Sequence, residues 1–132
     1  MDAAVGPDHP LAGRRSIALR SLADDIWTAP SPDRLVYRAC VAAGFEPRID
    51  YITRDALASR ALVAKGLAVT MMPRLLAGEL PGVRMLPLSS NAPLRRLYAL
   101  TPEAGTSDAA RAFIEAVGAS IRSRGGQTSS EA

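Results

Sequence analysis

What most constrains this chain is a strand–helix–strand–helix–strand alternation written between Asp25 and Met72. Asp25-Ile26-Trp27-Thr28-Ala29 reads as a buried strand that stops at Pro30. Ser31-Pro32-Asp33 has the residue types of a helix start: Ser at the cap, Pro in the first turn and an acid at the positive end of the dipole. Leu35, Val36, Ala39, Cys40 and Ala43 then share one face, and Gly44 supplies the left-handed residue that ends the helix. Arg48 to Ile52 alternates as a half-buried strand. Thr53-Arg54-Asp55 opens a second helix, with an apolar face of Leu57, Ala58, Ala61 and Leu62, and Gly66 closes it. Leu67 to Met72 is an unbroken apolar run ended by Pro73, as expected of a strand buried on both faces. This order gives an α/β fold with parallel strand–helix–strand units.

The flanking segments are less patterned. Residues 1–15 read as an irregular lead-in with a turn at Asp8-His9-Pro10. Ser16 to Leu19 suits a short strand, and Ser21-Leu22-Ala23-Asp24 matches a capping box for one helical turn. After the alternation come a short helix at Arg74 to Ala77, a turn at Pro81-Gly82, and strands at Val83 to Leu88 and Leu94 to Thr101. Ser107 caps a last helix with Ala109, Ala112, Phe113, Ala116, Val117 and Ile121 at helical spacing, and residues 125–132 form a polar tail expected to be mobile.

Several kinds of chemistry are excluded. A single cysteine, Cys40, forms no internal disulfide, and a single histidine, His9, builds no His-rich metal site. There is no G-x-S-x-G elbow, and no glycine loop that cradles nucleotide phosphates. Asp24 and Asp25 point in different directions as sequence neighbours, so a capped turn explains them better than acid–base catalysis. Cys40, Trp27 and the Met71-Met72 pair read as core. The net charge of +3 comes from arginines scattered from Arg14 to Arg124, which is no nucleic-acid stripe. No run nears the ~18 apolar residues of a spanning helix, so no membrane partner is expected and the default location is cytoplasmic.

Open parallel sheets bind ligands at the carboxyl ends of their strands, beside helix N-termini that attract anions. Two such ends are legible, Thr28 to Ser31 and Thr53 to Asp55, and both open on the same sheet edge. Thr28, Ser31, Thr53 and Arg54 suit a small carboxylate there, and Thr70 adds a hydroxyl if its side chain faces that edge. The competing role for Ser31 and Thr53 is to cap their helices, with Arg54 a solvated charge, and on these residues alone capping is the simpler account.

The order of motifs resembles a known family. Asp8-His9-Pro10-Leu11-Ala12, Leu22-Ala23-Asp24-Asp25-Ile26-Trp27, Cys40 to Pro47 and Leu62 to Val69 with Pro73 together look like the effector-binding domain of LysR-type transcriptional regulators, from Asp8 to about Arg122. Ala68 departs from the family's frequent G-L-G-V. The resemblance implies a periplasmic-binding-protein-like (type 2) fold whose two lobes hold a small-molecule effector between them. Residues 16–93 would be the second lobe, and residues 94–124 a return strand and C-terminal helix. By the same resemblance Asp8 to Ala12 lies near the first crossover between lobes, so most of the first lobe and the helix-turn-helix domain are expected to be absent from these residues. The expected function is ligand sensing, not catalysis, with no cofactor and no specific DNA binding by this chain. The resemblance implies that the family's dimers pair through the helix and strand matching Pro32 to Ala43 and Arg48 to Ile52. Without the first lobe that surface lacks its normal mate, so weak or irregular self-association, helped by the last helix around Phe113 and Val117, or pairing with related regulators is expected. A solute-binding lobe or a small enzyme of the same fold stays open as the alternative.

Overall fold

The computed structural model describes residues 1–96, 98–102 and 105–126. They fall into two units that divide between Arg95 and Arg96. The first unit contains β1 (Asp2–Val5), β2 (Ile26–Ala29), α1 (Leu35–Ala42), β3 (Arg48–Ile52), α2 (Ala56–Ala64), β4 (Thr70–Met72) and β5 (Arg84–Leu86), with single 3-10 turns at Leu19–Leu22 and Arg74–Leu76. The second contains α3 (Asp108–Gly126).

The order of strands and helices in the central alternation is the expected one, and its first two strands pair in parallel. β2 and β3 pair in parallel, and a further parallel bridge joins Trp27 to Val69, so β2 lies between β3 and the start of the third strand. Two backbone bonds make that bridge: Val69 N–H donates to Ile26 C=O at 2.8 Å, and Thr28 N–H to Val69 C=O at 2.9 Å. One residue later the chain changes partner. β4 pairs antiparallel with β1, and β1 pairs antiparallel with β5, in the order β4-β1-β5. The continuous run at residues 67–72 thus serves two sheets in succession.

Both helices of the first unit end as glycine caps. Gly44 and Gly66 have positive φ, and the bonds Phe45 N–H to Cys40 C=O and Leu67 N–H to Leu62 C=O close a Schellman motif at each. Burial joins Trp27, Ala29, Val36, Cys40, Val69 and Met71 into one core, with Phe45 packed at its margin. Burial pushes the Cys40 thiol up to about 12, which leaves it a neutral core side chain near neutral pH.

Other elements depart from the sequence reading. The lead-in at residues 1–15 is not wholly irregular, because Asp2–Val5 is the fully paired centre of a sheet. Its Asp-Ala-Ala-Val sequence has one β-branched residue, Val5, too little to mark a strand, and its hold comes from position between β4 and β5. The expected strand at Ser16 to Leu19 reduces to one bridge, Ile17 to Leu88. The expected turn at Ser21 to Asp24 instead spans Leu19–Leu22, with no side-chain cap, because Leu19 and Leu22 are the residues that bury. α1 begins at Leu35 rather than at Pro32. Ser31 donates its hydroxyl to Asp33 and leaves the cap at Arg34 without a side-chain bond. That same hydroxyl holds the Asp33 carboxyl below its usual range.

In α2 the buried residue is Val63, whereas Leu57 is 71% exposed. The stripe assigned to the core faces outward instead. No strand occurs among the described residues of 94–101, and Leu97 lies outside them. Ser107 does cap α3, accepting from Ala110 N–H at 3.3 Å. Of the polar tail, Gly125 and Gly126 belong to α3, and residues 127–132 lie outside the described residues.

The first residue of the central strand β1 carries an ion pair that matters for stability. Asp2, almost wholly buried, accepts from Arg74 Nε at 2.9 and 3.1 Å and from Nη2 at 2.9 Å. Arg74 is half exposed and its own charge is reinforced by the carboxylate, which sits beside and hydrogen-bonds to the guanidinium. Removing a partner from a buried charge is costly, but water can still reach this site, so Arg74→Ala should cost about 2 kcal/mol. Urea unfolding of wild type and variant measures this directly, and equal midpoints would show that the pair contributes nothing.

Candidate functional site

β2, β3 and the chain after each of them build one edge of the first unit. Ala29 ends β2 and Ile52 ends β3, and their junctions are tied by Thr53 N–H donating to Ala29 C=O at 3.0 Å. This bond brings the segments at residues 28–31 and 53–55 side by side. Thr70 joins from the third strand, its hydroxyl donating to Thr28 C=O at 2.7 Å. Of the five residues singled out from the sequence, Thr28, Thr53 and Thr70 are thus linked through the backbone of one edge.

Their side chains differ in what they present. Thr28 is 0% exposed, and its Oγ1 is a buried hydroxyl without a hydrogen-bond partner. Thr70 is also buried. Ser31 is half-buried and turned to Asp33. Thr53 accepts from Asp55 N–H at 3.1 Å, and Asp55, not Thr53, caps α2 by accepting from Leu57 N–H at 2.7 Å and Ala58 N–H at 3.0 Å. A carboxylate from the chain itself therefore already occupies the α2 N-terminus. Arg54 is exposed between Thr53 and the capping Asp55.

A shallow groove of about 530 Å³ runs away from this edge between β3 and α2, bordered by Tyr51, Ile52, Thr53, Ala58, Leu62 and Leu67. It is walled by the α2 stripe that the helical periodicity assigned to the core. The sequence signal for this groove was the same apolar spacing, read for the wrong partner: three-residue and four-residue periodicity marks a face but does not say what covers it. Two smaller cavities, of about 260 and 510 Å³, adjoin at Gly6, His9 and Gly66. Among the described residues, no group of three His, Cys, Asp or Glu side chains is placed to hold a metal ion. No described helix is long and apolar enough to cross a membrane.

The sequence profile of the LysR substrate binding domain matches residues 1–122. The chain belongs to the LysR substrate-binding domain family. Its α/β architecture is that of the LysR effector-binding domains, a periplasmic-binding-protein-like (type 2) fold. The C-terminal domain of a probable LysR family transcriptional regulator from Rhodococcus sp. RHA1 is 29% identical, with a TM-score of 0.58 over 70% of this chain and 49% of that one. The BenM effector-binding domain, solved with its effector benzoate, is 26% identical, with a TM-score of 0.57 over 67% of this chain and 44% of that one. The effector-binding domain of QuiR in complex with shikimate shares the fold at 22% identity, with a TM-score of 0.56 over 71% of this chain and 46% of that one. The LysR-family chain therefore spans less than half the length of each of these solved structures. No curated protein matches it.

The two buried threonines make a matched pair for measurement. Thr70→Val removes the donor to Thr28 C=O, whereas Thr28→Val replaces an unpartnered hydroxyl by an isosteric methyl. An unmade buried hydrogen bond costs about 1–3 kcal/mol, and removing an unsatisfied group is neutral or favourable. Thermal or urea unfolding should therefore show Thr70→Val destabilised by about 1–2 kcal/mol and Thr28→Val at least as stable as wild type.

Proposed function

We propose that this chain is the effector-binding portion of a LysR-type transcriptional regulator and that it takes a small carboxylate-bearing molecule at the edge shared by the β2–α1 and β3–α2 junctions. The observation that carries this reading is the Thr53-to-Ala29 backbone bond, which sets the two strand ends side by side with Arg54 next to them. The occupants of BenM and QuiR, benzoate and shikimate, are both small carboxylates and support that ligand class.

In this reading the five residues take different roles. Asp55 has already taken the α2 amides, so an anion at this edge draws on the Arg54 guanidinium and the hydroxyls of Ser31 and Thr53. Thr28 and Thr70 are buried and support the edge through the Thr70 hydroxyl on Thr28 C=O. The chain performs no catalysis in this reading and needs no cofactor. It makes no specific DNA contact, since its arginines are dispersed and DNA recognition needs a clustered reading surface. Phe113, Val117 and Ile121 are exposed on α3 and support weak self-association or pairing with a related regulator.

Amide chemical-shift mapping of the 132-residue chain with benzoate and with shikimate tests the assignment. Millimolar ligand should move residues 28–31 and 53–55 first, and Arg54→Ala should weaken the response about threefold to tenfold, on the order of one charge-assisted hydrogen bond. Shifts centred elsewhere, or unchanged binding in Arg54→Ala, would remove the site assignment and leave the fold untouched.

A further inference from the structure

His9 is the single histidine of the chain, and its ring bridges two segments. Leu11 N–H donates to Nδ1 at 3.1 Å. Nδ1 therefore carries a lone pair, the proton of the neutral ring is on Nε2, and Nε2–H donates to Asp25 Oδ1 at 3.1 Å. The same residue anchors its own turn through the backbone, with His9 N–H on Gly6 C=O and Ala12 N–H on His9 C=O. One imidazole thus ties the segment leaving β1 to the residue that precedes β2.

The surroundings leave this tie room to change. Cavities of about 260 and 510 Å³ lie against the ring and share Gly6, His9 and Gly66. The charged groups around them are Asp24 and Asp25 before β2, Asp8 in the turn and Lys65 at the end of α2. Gly6 provides a fixed base, since a Cβ there would stand 2.8 Å from Val63 C=O.

We propose that His9 is a proton-sensitive latch on the turn between Gly6 and Ala12. In the neutral ring one nitrogen accepts and the other donates, and both bonds hold. When the ring takes up a proton, Nδ1 also becomes a donor and faces the Leu11 N–H donor at the same distance. That bond is lost, while the Nε2–H contact to Asp25 gains a full opposite charge. The ring stays with Asp25 and the turn is released from the ring. Imidazole is the side chain that most readily exchanges a proton in water near neutral pH, and that exchange swaps an acceptor for a donor at Nδ1. The device stands apart from the effector reading and survives its failure.

The single histidine makes the test direct. Long-range ¹H–¹⁵N spectra of the full chain should show the Nε2–H tautomer at pH 8. As the pH is lowered, the Leu11 amide should titrate together with the ring, and its hydrogen-exchange protection, corrected for intrinsic rate, should fall about tenfold. In His9→Gln, Leu11 protection should be flat over the same range. A neutral ring protonated on Nδ1, or a Leu11 amide indifferent to the ring's titration in the wild type, would overturn the proposal whether or not the variant folds.

Discussion

The bridge between Trp27 and Val69 is the contact on which the first unit depends. It is made of two short backbone bonds, yet it is the place where the parallel pair β2–β3 meets the chain that runs on into the antiparallel sheet. Trp27 makes it firm. The indole is fully buried, donates Nε1–H to Leu22 C=O at 3.2 Å, and packs against Phe45 with centroids 6.2 Å apart. Truncating such a residue in a core costs about 3–5 kcal/mol, a large share of any small domain's stability. Thr70 then adds a side-chain bond to the same strand at Thr28, one residue before β2 ends at the candidate edge.

The parts that sequence made legible are those where local chemistry and tertiary packing agree. Gly44 and Gly66 were recognisable as helix ends because only a residue free of Cβ adopts positive φ at no cost, and both do so. β2 and β3 were recognisable because their apolar or alternating patterns match their burial. β1 was not, since two alanines and an aspartate with a single valine say little about a strand until the neighbours on both sides are known. Asp2 is a charged residue at the heart of a sheet, and its partner Arg74 lies far along the chain. No local pattern announces such a pair.

The candidate site was legible as a location and less so as chemistry. Strand-to-helix topology alone puts residues 28–31 and 53–55 on one edge, and the backbone bond between them realises that placement. Which group caps which helix depended on competition between neighbours. Asp55 outbids Thr53 for the α2 amides because a carboxylate is the stronger acceptor, and Ser31 turns to Asp33 instead of capping α1. The direction of Thr28 was hidden as well: in a strand buried on both faces the sequence does not say which face a threonine serves.

If the bridge at Trp27 and Val69 organises the unit, its amides should be among the last to open. Native-state hydrogen exchange across a urea series measures this residue by residue, because amides released by local opening separate from those released only by global unfolding. Thr28 and Val69 N–H should exchange with the free energy and urea dependence of global unfolding, and Thr53 N–H, at the candidate edge, should join them. Thr28 and Val69 exchanging through a low-energy local opening, while β1 and β4 stay protected, would contradict it.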